Sequence, residues 1–209
     1  MRYPKKLVAV LLAVTFILGA AGCSKKPLTR ETFISEFESC GLKKTDKVDV
    51  LLSNMNRRGG DNGYYAADDK EMAKSLSNQV FNTFQTLYDV NASDFVLAVD
   101  TDKGSDDKRY TEFVIFMSFD SGLDAENAYN HIVESYGDEE DGKTGTNSGV
   151  TYCIDSTKSA DGSTKIGTGI YVSGTAVIFI RSMSAGKDGF KFANRICSKL
   201  GLVSPSSAD

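Results

Sequence analysis

Two acidic segments carry side chains that Ca²⁺ prefers. The candidate ligands are Asp100, Asp102, Asp106, Asp138 and Glu140. Asp100 to Gly104 begins like a calcium loop, because carboxylates alternate with other residues. However, glycine stands at the fifth position, where a ligand belongs, and no glutamate closes the loop. Charge runs are mostly solvated loops, so calcium binding remains an open alternative to a plain acidic surface.

Residues 137–144 satisfy the G-x-x-x-x-G-K-T spacing of a phosphate-binding loop. Such a loop follows a strand and opens a helix, whereas this segment follows a predicted helix. Its four central residues are all carboxylates, which would repel the phosphates of a nucleotide. We therefore expect a solvated acidic turn and no nucleotide binding.

Reactive residues do not form a recognisable catalytic set. His131 is the single histidine, and helical periodicity directs it toward solvent. The sequence contains no G-x-S-x-G nucleophile motif and no Cys-x-x-Cys pair. We therefore expect no enzyme activity and no cofactor. Hydrolysis by two carboxylates stays open, because acidic residues are abundant and any two could meet.

A short basic and aromatic segment is the other candidate ligand site. Arg57 and Arg58 precede Gly59 and Gly60, and Tyr64 and Tyr65 follow shortly after. Guanidinium groups bind anions through paired hydrogen bonds. The alternative is a positive loop beside a sheet edge.

The N-terminus has the order of a secretory signal peptide. Basic residues come first, an apolar run extends from Leu7 to Leu18, and Ala20, Ala21 and Gly22 precede Cys23. The apolar run is shorter than the roughly 20 residues that a spanning helix needs. Small residues before the cysteine are typical of a peptidase cleavage site.

The sequence Ala20-Ala21-Gly22-Cys23 resembles the lipobox of bacterial lipoproteins, although Ala20 stands where leucine is commoner. The resemblance implies cleavage between Gly22 and Cys23, acylation of the Cys23 thiol, and anchoring at the extracytoplasmic face of the cell membrane. The alternatives are an ordinary secreted protein and an uncleaved single-span anchor.

The segment from Cys23 onward is acidic, with 21 basic against 28 acidic residues, a formal net charge of −7. This charge disfavours nucleic acid and anionic lipid as ligands. Three further cysteines follow, Cys40, Cys153 and Cys197. We interpret them as buried thiols, and a Cys40–Cys197 disulfide is the alternative.

Hydrophobic periodicity predicts one α+β domain, an antiparallel sheet packed by helices. The order from 63 to 155 is β-α-β-β-α-β, which suggests an extended ferredoxin-like unit. Strand 109–119 is apolar on both faces and is predicted to be central. The predicted helices are 29–40 with Thr29 as cap, 43–58, 68–89 opened by Asp68, 123–136 with Ser121 and Asp124 as a capping pair, and a last helix capped by Asp188. An acidic loop is predicted from 137 to 149. The other predicted strands are 63–66, 95–100, 150–155, 165–172 and 175–183, the last two joined by Ser173-Gly174.

The predicted organisation is a signal peptide (1–22), a lipidated tether (23–28), one domain (29–203) and a flexible tail (204–209). Strand Gly169-Ile170-Tyr171, the turn Ser173-Gly174 and an apolar strand ending at Arg181 resemble exported lipoproteins of low-GC Gram-positive bacteria. That resemblance implies no activity and no site.

These observations favour a membrane-anchored module that binds an envelope protein or peptide without catalysis. A surface hydrolase that uses carboxylates, with or without calcium, is the alternative, and a purely structural envelope module is the third.

Overall fold

A seven-stranded antiparallel sheet forms the middle layer of the protein. The computed structural model describes residues 26–55, 60–83, 89–101, 110–136, 142–185 and 189–208. The spatial order of the strands is β1-β2-β3-β7-β6-β5-β4. The strands are β1 (Gly63–Ala66), β2 (Asp94–Thr101), β3 (Tyr110–Ser118), β4 (Lys143–Asn147), β5 (Val150–Lys158), β6 (Lys165–Ser173) and β7 (Ala176–Ser184).

Helices cover both faces of this sheet. In the described residues they are α1 (Arg30–Ser39), α2 (Val48–Asn54), α3 (Lys70–Thr83), α4 (Gly122–Tyr136) and α5 (Lys191–Leu200). Helices α1 and α5 bury their apolar sides against one face and form the α1/α5 core with it. Helices α2, α3 and α4 bury theirs against the other face and form the α2–α4 core. The prediction of an α+β fold with helices packed on an antiparallel sheet is confirmed.

Strand β3 supplies side chains to both hydrophobic cores. Phe113, Ile115 and Met117 point into the α2–α4 core, while Val114 and Phe116 point into the α1/α5 core. This alternation follows from the two-residue period of a strand. The prediction that both faces of this strand are buried is confirmed.

The ferredoxin-like topology predicted for residues 63 to 155 is wrong. In that unit a helix crosses over to a parallel strand, but here β1 and β2 are antiparallel neighbours, with Gly63 opposite Val99. The chain doubles back after α3 instead of crossing the sheet. The buried Ser77 hydroxyl holds the returning chain, because it donates to the Val90 carbonyl and accepts from the Ala92 N–H.

The N-terminal helix boundaries follow their capping residues. Thr29 caps α1, as predicted, and its hydroxyl accepts from the Thr32 N–H. The second helix is shorter than the predicted 43–58. Asp69 caps α3 in place of the predicted Asp68, because its carboxylate accepts from the Met72 N–H at 2.8 Å.

Three predictions in the C-terminal half require correction. The acidic loop predicted up to Gly149 contains strand β4, a polar edge strand without an apolar pattern. The β6–β7 turn is Gly174-Thr175, because Ser173 pairs with Ala176. The predicted flexible tail forms a 3-10 helix, Pro205–Ala208, in which Pro205 is buried.

The three described cysteines are free thiols. Cys153 belongs to the α2–α4 core and Cys197 to the α1/α5 core, so the sheet lies between them. Cys40 is half-buried at the C-terminus of α1 and forms no disulfide with Cys197. This arrangement agrees with the interpretation of the cysteines as packed thiols.

Replacement of Ser77 by alanine tests the turn-back after α3. The variant leaves the Val90 carbonyl and the Ala92 N–H buried without this partner, which costs about 1–3 kcal/mol in the free energy of unfolding. Urea unfolding measures the loss. Ser75→Ala, on the exposed side of the same helix, should change stability by less than about 0.5 kcal/mol. Equal effects of the two substitutions would contradict this role of Ser77.

Candidate functional site

The two tyrosines of the predicted basic and aromatic ligand site do not share one surface. Arg57 and Arg58 lie outside the described residues. Tyr64 and Tyr65 occupy β1, where successive side chains point to opposite faces, and each joins a different core. Tyr64 donates its hydroxyl to Glu38 at 2.7 Å. Because both tyrosines are nearly buried, neither offers an aromatic face to a ligand.

Of the predicted calcium ligands, Asp100 is the one that the structure describes. It ends the β2 region and accepts a hydrogen bond from Asn62 Nδ2 at 2.9 Å. Asp102, Asp106, Asp138 and Glu140 fall outside the described residues. Within the described ranges, no group of three or more His, Cys, Asp or Glu side chains is arranged to hold a metal ion.

The phosphate-loop motif and the histidine have ordinary structural positions. A phosphate loop requires its Lys and Thr to open a helix. Lys143 and Thr144 instead begin strand β4. His131 lies on α4, and its Nδ1 is 3.4 Å from a carboxylate oxygen of Glu134. The residues implied in cleavage and lipidation, Gly22 and Cys23, lie outside the described residues.

A cleft of about 200 Å³ opens between the segment after α3 and the start of α4. Ser121 and Asp124 shape its rim as the predicted capping pair, since the serine hydroxyl donates to the carboxylate at 2.7 Å. Asp120 forms an ion pair with Lys70 of α3. The lining residues are Asp89, Asn91, Phe119, Asp120, Asp124 and Ala128.

Two large apolar side chains are exposed on the layer that contains this cleft, and one of them, Leu123, directly precedes Asp124 of the cleft lining. Leu123 is 66 % exposed and Met72 is 42 % exposed. They belong to the first turns of α4 and α3, which the Lys70–Asp120 ion pair draws together. Contact surfaces are typically marked by contiguous apolar patches, and Leu123 is the more exposed of these two candidates for such a contact. The sequence did not predict this cleft, because local patterns identify its aspartates only as helix caps.

A buried carboxyl group lies on the other side of the sheet. Glu112 on β3 is fully buried, and its two oxygens accept from the Phe192 and Ala193 N–H groups at 3.3 and 2.8 Å. These are the free amides at the start of α5. The predicted cap, Asp188, lies outside the described residues, and Phe190, the residue at the capping position, makes no side-chain cap. Glu112 therefore caps the helix from the face of the sheet on which α5 packs.

Burial raises the pKa of Glu112 to about 7, although the amide hydrogen bonds of Ala193 and Phe192 oppose that shift. The Asp100 carboxylate on the neighbouring strand raises the pKa further. On the other flank is Ser182, whose hydroxyl is buried without a hydrogen-bond partner. A raised pKa is a property of catalytic acids. Because no substrate reaches this fully buried group, we interpret Glu112 as structural.

No protein-family model and no curated protein matches the chain. Among solved structures, the extracellular domain of PknH from Mycobacterium tuberculosis is similar at a TM-score of 0.37 and 10 % identity, over 78 % of this chain and 91 % of that chain. A likeness at this level carries no argument about function. In the described part of the chain, no helix combines the length and apolar character required to cross a bilayer.

Glu112→Gln tests the buried carboxyl through the pH dependence of stability. The folded protein holds the proton more tightly than the unfolded chain, whose pKa is near the ordinary value of 4.5. Because of this group, the free energy of unfolding should fall by about 3 kcal/mol in all as the pH rises from about 4.5 to 7. Above that range the group adds no slope. The variant should lack this decrease.

The measurement is the free energy of unfolding of both proteins between pH 4.5 and 8. Glu126→Gln, an exposed substitution on α4, is the matched control and should retain the wild-type slope. If Glu112→Gln kept the wild-type slope between pH 4.5 and 7, the assignment of that proton to Glu112 would be refuted.

Proposed function

We propose that the chain is a lipoprotein anchored by an acyl group on Cys23 at the extracytoplasmic face of the membrane, where its domain binds an envelope protein or peptide without catalysis. The observation that carries the anchoring is the N-terminal order of basic, apolar and small residues ending at Cys23. Two or three acyl chains contribute enough buried CH₂ groups to hold such a protein stably.

The position of the first described residues supports a closely held domain. Lys26 already contacts Glu36 of α1, so the folded domain begins three residues after Cys23. A bound partner is then within about one domain width of the bilayer.

The acidic cleft beside Leu123 is the surface that we assign to the partner. Its aspartates favour a cationic group, and Leu123 and Met72 favour an apolar neighbour. A peptide segment with lysine or arginine next to an aliphatic side chain has this combination. Nucleic acid is disfavoured by the charge of the cleft.

The second candidate is a surface hydrolase, since three aspartates line this cleft. Two of them have structural partners, because Asp120 pairs with Lys70 and Asp124 with Ser121. This occupation favours binding over catalysis. Calcium-dependent thermal stabilisation that is lost on chelation, together with hydrolysis that Asp124→Asn abolishes, would favour the hydrolase.

Substitution of Cys23 by serine tests the anchor. The wild-type protein should carry an acyl mass on Cys23 and partition into the membrane fraction. The variant has no thiol to acylate, so processing at Gly22 should stop or the protein should lose its acyl mass. Mass spectrometry of the intact native protein is the measurement. An unmodified Cys23 in the mature wild-type protein would contradict the anchoring proposal.

Leu123→Asp tests the partner surface. Because Leu123 is mostly exposed, the variant should keep wild-type stability, while recovery of the partner by cross-linking in intact envelopes should fall at least tenfold. Asn130→Asp, about two turns further along the same helix, introduces the same side chain away from the cleft and should leave recovery unchanged. Unchanged recovery with Leu123→Asp would rule out the cleft rim as the contact.

A further inference from the structure

The outer surface of helix α5 is a stripe of positive charge. Lys191, Arg195 and Lys199 follow one another at four-residue spacing, so they share one side of the helix, and all three are exposed. The opposite side of α5 is buried in the α1/α5 core. The ten residues of α5 include no Asp or Glu. The side of α5 that faces solvent is therefore basic, and lysine and arginine clusters near a membrane surface attract anionic lipid headgroups.

Like charges repel each other along this stripe. Lys191 in the first turn also opposes the helix dipole, whereas Lys199 in the last turn agrees with it. Arg195 is held in place on the surface because its guanidinium donates to the Ser39 carbonyl at the end of α1. An anionic surface would relieve the repulsion along this stripe, so an anionic surface is the kind of partner that the stripe fits.

The tether from Cys23 reaches the protein beside this stripe. Lys26 pairs with Glu36 of α1, and the positive charge of Lys199 also acts on Glu36, whose pKa is lowered first by the Lys26 hydrogen bond. Lys26 and Lys199 therefore flank the same carboxylate. Lys26 is the third residue after Cys23, so the chain allows at most about 11 Å between their Cα atoms.

The two helical layers differ in charge. Helices α2, α3 and α4 carry two cations, Lys70 and Lys74, against five acids. Helix α5 carries three cations and no acid. Helix α1 adds one arginine and three glutamates, of which Glu36 is buried against Lys26 and Glu38 accepts from Tyr64. Among the described helices, the excess of acidic residues therefore lies in the layer of α2, α3 and α4.

We propose that the outer surface of α5, together with Lys26, rests on an anionic phospholipid bilayer and turns the α3–α4 side with its acidic cleft away from the membrane. This inference rests on the proposed anchoring through Cys23. It replaces the expectation from net charge that the domain has no affinity for anionic lipid, because that expectation averaged over two layers of different charge.

Single tryptophan reporters test the orientation, since the natural chain has no tryptophan. Ser198→Trp places the reporter on the exposed side of α5, and Ser75→Trp places it on the exposed side of α3. Each acylated protein is inserted into phosphatidylglycerol/phosphatidylcholine vesicles with a spin-labelled headgroup lipid, and into phosphatidylcholine vesicles with the same label. The readout is quenching of tryptophan fluorescence.

We expect strong quenching of Ser198→Trp and weak quenching of Ser75→Trp on the anionic vesicles. Adding Lys191→Gln and Lys199→Gln should shift the orientation equilibrium about fivefold per cation removed. The extent of quenching should therefore become more similar for the two reporters. Lys70→Gln with Lys74→Gln is the matched control and should not change the difference. High salt should reduce the difference, because the Debye length falls to about 3 Å at 1 M.

Flotation of the vesicles separates failure of the anchor from failure of the orientation. If the acylated protein floats and both reporters are quenched equally, or Ser75→Trp is quenched more, the proposed role of α5 is overturned and the anchor stands. If the protein does not float, both proposals are overturned.

Discussion

Burial of both faces of β3 and β7 is the constraint on which the structure depends. These two strands lie inside the sheet, and their apolar side chains alternate between the two cores. A sheet that is apolar on both faces requires a helical layer on each side. The chain supplies one layer from its first and last helices, α1 and α5, and the other from its middle helices. Glu112 of β3 connects the sheet to α5, because its carboxylate accepts hydrogen bonds from amides in the first turn of that helix.

This division of the helices gives the two sides of the domain different surfaces. The layer formed by α1 and α5 contacts Lys26, which follows the proposed anchor, and displays the basic stripe of α5. The layer formed by α2, α3 and α4 displays the acidic cleft, with Leu123 next to Asp124 of its lining. A bilayer on the first side leaves the second side open to a partner. The attachment of the domain and the recognition of its partner are therefore assigned to opposite faces of one sheet.

Features encoded by adjacent residues could be predicted from the sequence, and features that join distant residues could not. The Thr29 cap, the Ser121–Asp124 pair and the apolar β3 are local patterns, and each is found as predicted. The turn-back after α3 depends on Ser77 meeting residues 13 to 15 positions later, and Glu112 meets amides about 80 positions away. Strand β4 has no apolar pattern because it is an exposed edge. Net charge similarly concealed the difference between the layers, since it contains no information about position.

Lysine acetylation of the membrane-bound protein, read by mass spectrometry, tests the assignment of the two faces most directly. Rates at Lys191 and Lys199 are compared with rates at Lys70 and Lys74, first on anionic vesicles and then after detergent release. The account predicts that the bilayer slows modification of the two α5 lysines severalfold and leaves the two α3 lysines unchanged. Equal rates at the α5 lysines in both states, or protection of Lys70 and Lys74 instead, would contradict it.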